Sequence, residues 1–472
     1  MKKIQFIFLF LIHFFSRYFS RKSISLNGEY RRSFKNPDPK IIFAGLILLV
    51  AFFIFFKFSP DLFPRPDLTL GVIGPYSYAS FPGPVANLIS KPLVILDKDG
   101  RPKPELSSGW QVNNDSTLYT FKLKNGLVWN DGSTVKASDI KFNIPDVDVR
   151  YPDDETIEFK LTDSFSPFPS LLTSPVFKAN TLIGMGNYKV IKEDREQRKL
   201  ILKYMGENFP IISVSFFPDE RTAKTAFELG EVEGLIGTSE GYQVLGESVE
   251  QKKVRVLNKF VAVFYNTKDP VLADKNLRKA LSAASPKIEG EEIARTPLPE
   301  NSWSFNSDIK EVLDDPESAK SYLSKVPTAL NAPITLTTIP ALSDVGEKII
   351  KSWKQNGIEA VLRVESGIPQ NFQALLLSES IPQDPDQYAL WHSTQTLTNL
   401  SKYSSPRIDK DLEDGRKTGD FEKRREKYMD FQRILLEDSP ATFLYFPKTQ
   451  ILFRKKAESN LNKLLPLMFP NN

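Results

Sequence analysis

The sequence predicts an α/β protein of two lobes, preceded by one N-terminal transmembrane helix. Three observations lead there. At 472 residues the chain is longer than a single hydrophobic core usually serves. Strand-like and helix-like stretches alternate along it, punctuated by 34 Pro and 23 Gly, a composition of short strands and loops rather than a helical bundle. One uninterrupted apolar run, Ile41 to Phe56, stands near the N-terminus.

That run, extended by Lys57-Phe58, reaches the lower limit of roughly 17 residues for a spanning helix, with Lys57 snorkelling to the interface. Ser59-Pro60-Asp61 offers no small-residue cleavage pattern, so an uncleaved anchor is expected rather than a signal peptide. The first 58 residues hold ten basic side chains against Glu29 and Asp38. Positive-inside charge therefore places residues 1–40 in the cytoplasm, the helix at 41–58, a stalk at 59–67 and the main domain outside the membrane. A shorter run, Ile4 to Phe15, is read as an interfacial helix. Without its basic tail the chain is mildly acidic, which speaks against nucleic acid as a partner. Cysteine is absent, which removes disulfides, thiolate metal sites, thiol catalysis and a lipidated cysteine anchor.

Within the main domain, Leu68 to Ile73 reads as a first strand and Gly74 to Pro84 as a loop. Leu118 to Leu123 alternates apolar and polar residues; Asn125-Gly126 supplies a tight turn, and Leu127-Val-Trp129 is expected to return as its hairpin partner. Thr156 to Leu161 and Lys199 to Tyr204 alternate as strands. Arg221 to Leu229 is an amphipathic helix stopped by Gly230. Phe260 to Tyr265 is a strand ending at Asn266, and a helix opens at Leu277. Ile334 to Ile339 and Ile358 to Val364 flank a helix from Ser343 to Asn356, a pattern that predicts a parallel crossover. Phe421 to Leu436 is a long helix.

The ordered series Pro104, Trp110, Phe121, Gly126, Asp131-Gly132 and Asp139 resembles the signature of the family-5 extracellular solute-binding proteins, the peptide-, nickel- and oligosaccharide-binding receptors of ABC importers. Gly184-Met-Gly186-Asn-Tyr188, Gly230-Glu-Val-Glu, Asp384-Pro385, Tyr403-Ser-Ser-Pro406 and Asp438-Ser-Pro440 continue the likeness from about Thr69 to Lys456. The resemblance implies a type II periplasmic-binding-protein-like fold whose lobes close over a ligand and present it to an ABC permease. Residues 68–262 and 443–472 would form the first lobe with its small subdomain, and 263–442 the second. Hinges are expected near Phe260 to Tyr265 and Thr442 to Phe446. After Asp139 the chain passes almost directly to the next strand, so the peripheral subdomain is trimmed.

The resemblance also suggests a cleft lined by Tyr76, Tyr78, Phe264, Tyr265, Asn266, Asp384, Tyr388 and Trp391. Tyr and Trp join apolar area to a polar edge, which suits peptides and sugars. In peptide-binding relatives an Asp just before the Asp-Pro element pairs with the ligand's α-ammonium. Here Ile381 stands in that place, with Glu379 as the nearest acid upstream. The ligand expected is a peptide or similar small polar molecule, and no cofactor is implied.

Other chemistry weighs less. Gly237-Thr-Ser239-Glu-Gly241 fits a nucleophile elbow, with Asp384 and His392 downstream in hydrolase order. Such short patterns arise readily by chance, and an ordinary turn is the expectation. His392 is the only histidine outside the tail, too few for a protein-built zinc or nickel site. The acidic stretches at 146–155 and 384–386 lack calcium-loop spacing and read as turns. A binding protein is therefore expected, with a surface sensor of the same fold as the alternative in that class and a Ser239 ectohydrolase as the alternative outside it.

Overall fold

Strand Leu68–Ile73 buries Leu68, Leu70 and Val72, and is hydrogen-bonded on both edges. It runs parallel to Ile212–Phe217 on one side and Gly234–Thr238 on the other. Buried parallel strands need helices over their faces. Gly83–Ile89 and the C-terminal helix Glu458–Met468 cover one face through Val85, Leu88, Leu461 and Leu464. Glu220–Glu228 covers the other, with Ala223 and Phe227 packed on Leu235 and Leu452. Asp219 caps that helix by accepting the Thr222 N–H at 2.8 Å. The completed sheet has seven strands, in the order Val249–Arg255, Lys448–Arg454, Gly234–Thr238, Leu68–Ile73, Ile212–Phe217, Lys199–Tyr204, Tyr188–Asp194.

These features come from a computed structural model that describes residues 66–76, 81–238, 248–255, 259–327 and 332–470. The expected cytoplasmic tail, the interfacial helix at 4–15, the transmembrane helix at 41–58, nearly all of the stalk, Tyr78 and Ser239 lie outside the described residues. Among the described residues no helix is long and apolar enough to cross a membrane.

A second sheet of six strands runs Glu292–Ile293, Ala441–Phe446, Lys259–Tyr265, Ala374–Ser380, Ile334–Thr338, Ala360–Val364. Lys259–Tyr265 lies inside it, and its alternation divides two cores. Val261, Val263 and Tyr265 face helices Lys275–Ala283 and Ser343–Gln355, with Leu277, Leu281 and Trp353. Phe260, Ala262 and Phe264 face Trp391 and the helix Phe421–Asp438, with Tyr428, Phe431 and Leu435. Ile334–Thr338 and Ala360–Val364 pair in parallel around the helix Ser343–Gln355, as the sequence predicts.

The chain leaves the first sheet after Arg255, enters the second at Lys259, and returns to the first between Phe446 and Lys448. The two segments in which hinges were expected, Phe260 to Tyr265 and Thr442 to Phe446, are thus buried strands of the second sheet. The changes of sheet fall just beyond them.

A small antiparallel sheet, Ser107–Val112, Leu118–Leu123, Thr156–Leu161, Val147–Arg150, forms a subdomain. Here the expected hairpin is corrected. Leu118–Leu123 pairs with Ser107–Val112 and Thr156–Leu161, so both of its edges are occupied. Leu127 to Trp129 instead turns back on itself at Asp131-Gly132, through a single bridge between Val128 and Thr134. The signature residues act within this turn. Asp131 accepts the Ser133 N–H at 2.9 Å and pairs with Lys178 at 3.0 Å. Trp129, 1% exposed, donates its indole N–H to Asp139 at 3.2 Å. Gly184 and Gly186 dock the subdomain against the first lobe. A Cβ on Gly184 would stand 2.2 Å from the Ile89 carbonyl oxygen, and one on Gly186 2.5 Å from the Leu88 carbonyl oxygen. Only glycine allows this approach.

Candidate ligand cleft

The subdomain also rests on the second lobe, and that contact shapes one wall of a cleft. Ser166 donates its N–H to the Arg416 carbonyl at 2.7 Å, and Trp303 donates its N–H to the Asp99 carbonyl at 2.7 Å. The Arg416 guanidinium lies between two rings, 5.0 Å from Phe165 of the subdomain and 4.1 Å from Tyr388 of the second lobe. Its Nε donates to Asp386 at 2.8 Å.

Beside these contacts is a cavity of about 510 Å³, within the ~300–1,000 Å³ typical of small-ligand sites. The loop Leu96–Gly100 closes one side. Leu298, Pro299, Asn301 and Ser302, with Ile381, Pro382, Gln383 and Pro385, close the second-lobe side. Pro470, just past the C-terminal helix of the first lobe, completes it. A second cavity of about 400 Å³ lies between Asn130-Asp131 and the strand Tyr188–Asp194. Its Asn130 amide is engaged by the carbonyls of Gly186 and Tyr188, and Asp131 by Ser133 and Lys178, so structural bonds occupy those polar groups. The larger cavity, where the subdomain and both lobes meet, is the better candidate.

The residues expected at the cleft take several positions. Tyr76 is half-buried, donates its hydroxyl to Glu193 at 2.6 Å, and packs against Phe81 and Phe216. Phe264 and Trp391 are buried with ring centroids 6.0 Å apart. Tyr265 faces the opposite side of its strand, fully buried, with its hydroxyl 2.6 Å from that of Thr442. Burial raises the pKa of that phenol. Asn266 ends the strand, its amide donating to the Phe372 carbonyl at 3.0 Å. Glu379 is half-buried near the end of strand Ala374–Ser380, opposite Phe260 in the register, and burial pushes its carboxyl pKa up.

Asp384 is buried and bonded to Arg424 at 2.5 Å. Tyr388 is half-buried between Arg416 and the ring of His392, whose centroid is 4.0 Å away. His392 is itself enclosed, 2.8 Å from the Thr394 hydroxyl and 3.3 Å from Glu413. The fold thus gathers Phe264, Asp384, Tyr388 and Trp391 on one side of the second sheet, the side that Glu379, paired with Phe260, also faces; Tyr265 lies on the opposite side, Tyr76 in the first lobe, and Asn266 just past the end of its strand.

The cavity wall is built instead from neighbours of Asp384 and from loops at 96–100 and 298–302. Their one sequence signal is the density of proline, with Pro297, Pro299, Pro382 and Pro385 marking rigid loops. Among the described residues no group of three or more His, Asp or Glu side chains converges as metal donors.

Comparison with known proteins accords with this architecture. The model of bacterial extracellular solute-binding proteins, family 5, matches residues 101–396. The oligopeptide-binding protein AppA of Bacillus subtilis is 22% identical over 479 residues, covering 83% of this chain and 88% of its own. The dipeptide-binding protein of Escherichia coli is 22% identical over 435 residues, covering 72% and 80%. Among solved structures, CtaP from Listeria monocytogenes, an ABC transporter substrate-binding protein, superposes with a TM-score of 0.65 at 20% identity, over 83% of this chain and 94% of its own. NikZ from Campylobacter jejuni, in complex with Ni(L-His), gives 0.63 at 20% identity over the same shares. These structures share the two-lobed α/β fold, and the curated relatives are binding proteins rather than enzymes. The chain belongs to family 5 of the bacterial extracellular solute-binding proteins.

Proposed function

We propose that this chain is the membrane-anchored, extracytoplasmic substrate-binding component of an ABC importer, and that it takes peptides. The observation that carries the reading is the cavity of about 510 Å³ at the meeting of subdomain and lobes, in a chain whose family match spans residues 101–396. The names of AppA from Bacillus subtilis and of the Escherichia coli dipeptide-binding protein favour peptides as the ligand class. The apolar run Ile41 to Phe56 and the basic residues before it favour an anchor with a cytoplasmic N-terminus.

In this reading the lobes close by rotation about the two places where the chain changes sheet, between Arg255 and Lys259 and at Pro447. Two short connections form a natural hinge, because few dihedrals must change. The ligand sits against Ile381, Leu298 and the loop Leu96–Gly100, and the buried aromatics Phe264 and Trp391 support that wall from behind.

The test is native mass spectrometry of the full chain purified in mild detergent. Peptide retained by the folded protein and released on denaturation supports the reading. An empty protein that shows no thermal shift with a peptide panel, yet shifts with oligosaccharides, removes peptides as the ligand. Loss of peptide uptake on deletion of the chain distinguishes delivery to a permease from sensing.

A further inference from the structure

We infer that this cavity selects peptide-like acids whose amino end is blocked. The inference rests on the peptide reading above and narrows it to one class of ligand.

Ile381 and Leu298 are 6% and 1% exposed and form an apolar wall. Among the described residues Asp97 is the only acidic one in the lining, and the protein already engages its carboxylate. One oxygen accepts the N–H groups of Asp99 at 3.0 Å and Arg101 at 2.9 Å, while the other faces Lys103 at 3.6 Å. Asp384, beside the lining residues Gln383 and Pro385, is turned inward to Arg424 and accepts the Asp386 N–H at 3.1 Å. Asp97 is thus shared with its own loop and with Lys103, and Asp384 is charge-paired with Arg424.

An α-ammonium placed against Ile381 would lose hydration and meet only neutral acceptors, the amide oxygens of Asn301 and Gln383 and the Ser302 hydroxyl, and a charge desolvated without a counter-charge is disfavoured. An acyl cap at the same place is neutral and adds apolar contact. The one lining cation, Lys98, is exposed and has no ion-pair partner among the described residues. It suits a carboxylate at the other end of the ligand. The exposed amides of Asn301 and Gln383 suit neutral peptide groups between the two.

The experiment is calorimetric titration of the full chain in mild detergent with Ala-Pro-Ala and N-acetyl-Ala-Pro-Ala, each as the free acid and as the C-terminal amide. The acetylated acid is expected to bind at least tenfold more tightly than the free-amine acid. Amidation of its carboxyl end, or Lys98→Glu, should each weaken it several-fold. Ile381→Asp should reverse the preference for the blocked amine; the preference of the unaltered chain tests the inference even where that variant does not fold. Tight binding of the free-amine peptide with loss on acetylation overturns the inference and leaves the peptide reading standing. No binding of any of the four peptides overturns both.

Discussion

The Arg424 guanidinium donates to the Asp384 carboxylate at 2.5 Å, with their side chains 3% and 4% exposed. Arg424 also donates to the Gly415 carbonyl at 2.9 Å and the Tyr428 hydroxyl at 3.1 Å, and lies 5.2 Å from the Trp303 ring centroid. Burial pushes the Asp384 carboxyl pKa up, and the charge and hydrogen bond of Arg424 oppose that push. Because Asp384 also accepts the Asp386 N–H, the pair fixes the turn that carries Ile381 to Pro385 into the cavity wall. The ion pair thus positions the cavity wall.

Removing one partner leaves a buried charge without compensation. Arg424→Met should therefore destabilise the chain by about 3–5 kcal/mol. The double variant Arg424→Met, Asp384→Leu should recover much of that loss, since neither charge then remains buried. Urea denaturation of the unaltered chain, Arg424→Met, Asp384→Leu and the double variant measures the coupling. Strictly additive losses would mean that the two side chains act independently.

Arg416 joins the subdomain to the second lobe by a different mechanism. Its planar cation sits between Phe165 and Tyr388, and Asp386 orients it. Such contacts contribute about 0.5–2 kcal/mol according to their exposure. Arg416→Ala should accelerate amide exchange at Ser166 by about two- to thirtyfold and leave the strand Leu68–Ile73 unchanged. Arg416→Lys should recover only part of the protection, because an ammonium keeps the charge and loses the planar stacking. Equal protection in all three proteins would rule out the clamp.

The regular elements were legible in the sequence because their periodicity is local. Leu68–Ile73, Glu220–Glu228, Ser343–Gln355 and Phe421–Asp438 begin and end within two residues of their expected bounds. The partner of Leu118–Leu123 was not legible. Asn125-Gly126 is a sound turn signal, but two more distant strands, Ser107–Val112 and Thr156–Leu161, occupy the edges it would have offered to Leu127. The cleft was legible only as a neighbourhood. Alternation in Lys259–Tyr265 shows that Phe264 and Tyr265 face opposite sides; it does not show that both sides are covered by helices. The cavity wall at 298–302 carries no period, since loop residues are placed by what the elements around them leave open.

The family signature itself is structural, which leads to another prediction. Asp139 accepts the Trp129 indole N–H at 3.2 Å and the Lys136 N–H at 3.0 Å, closing the turn at the edge of the four-stranded sheet. Asp139→Ala should cost about 1–3 kcal/mol, because it leaves the buried indole N–H without an acceptor. The loss should be local. Hydrogen exchange should rise in Leu118–Leu123 and Thr156–Leu161 while the second sheet keeps its protection; a uniform rise across all three sheets would contradict this.

Glu379 yields a pH dependence whose sign follows from its burial. Burial raises its carboxyl pKa in the folded chain, and the opposing pulls of the Ser380 backbone and Lys259 do not cancel the rise. A raised pKa means that the folded state binds the proton more tightly than the unfolded state, where the value is near 4.3. The resulting stabilisation is fully present below about pH 4 and is lost as pH rises through the folded value. At neutral pH the carboxylate is ionised in a half-dry site, and Glu379→Gln removes that charge while keeping the shape. The variant should therefore unfold at a higher temperature than the unaltered chain at pH 7.5 and at the same temperature near pH 4. A gain that does not change with pH would assign the effect to packing, and a loss at pH 7.5 would mean that the carboxylate has a cationic partner worth more than its desolvation costs.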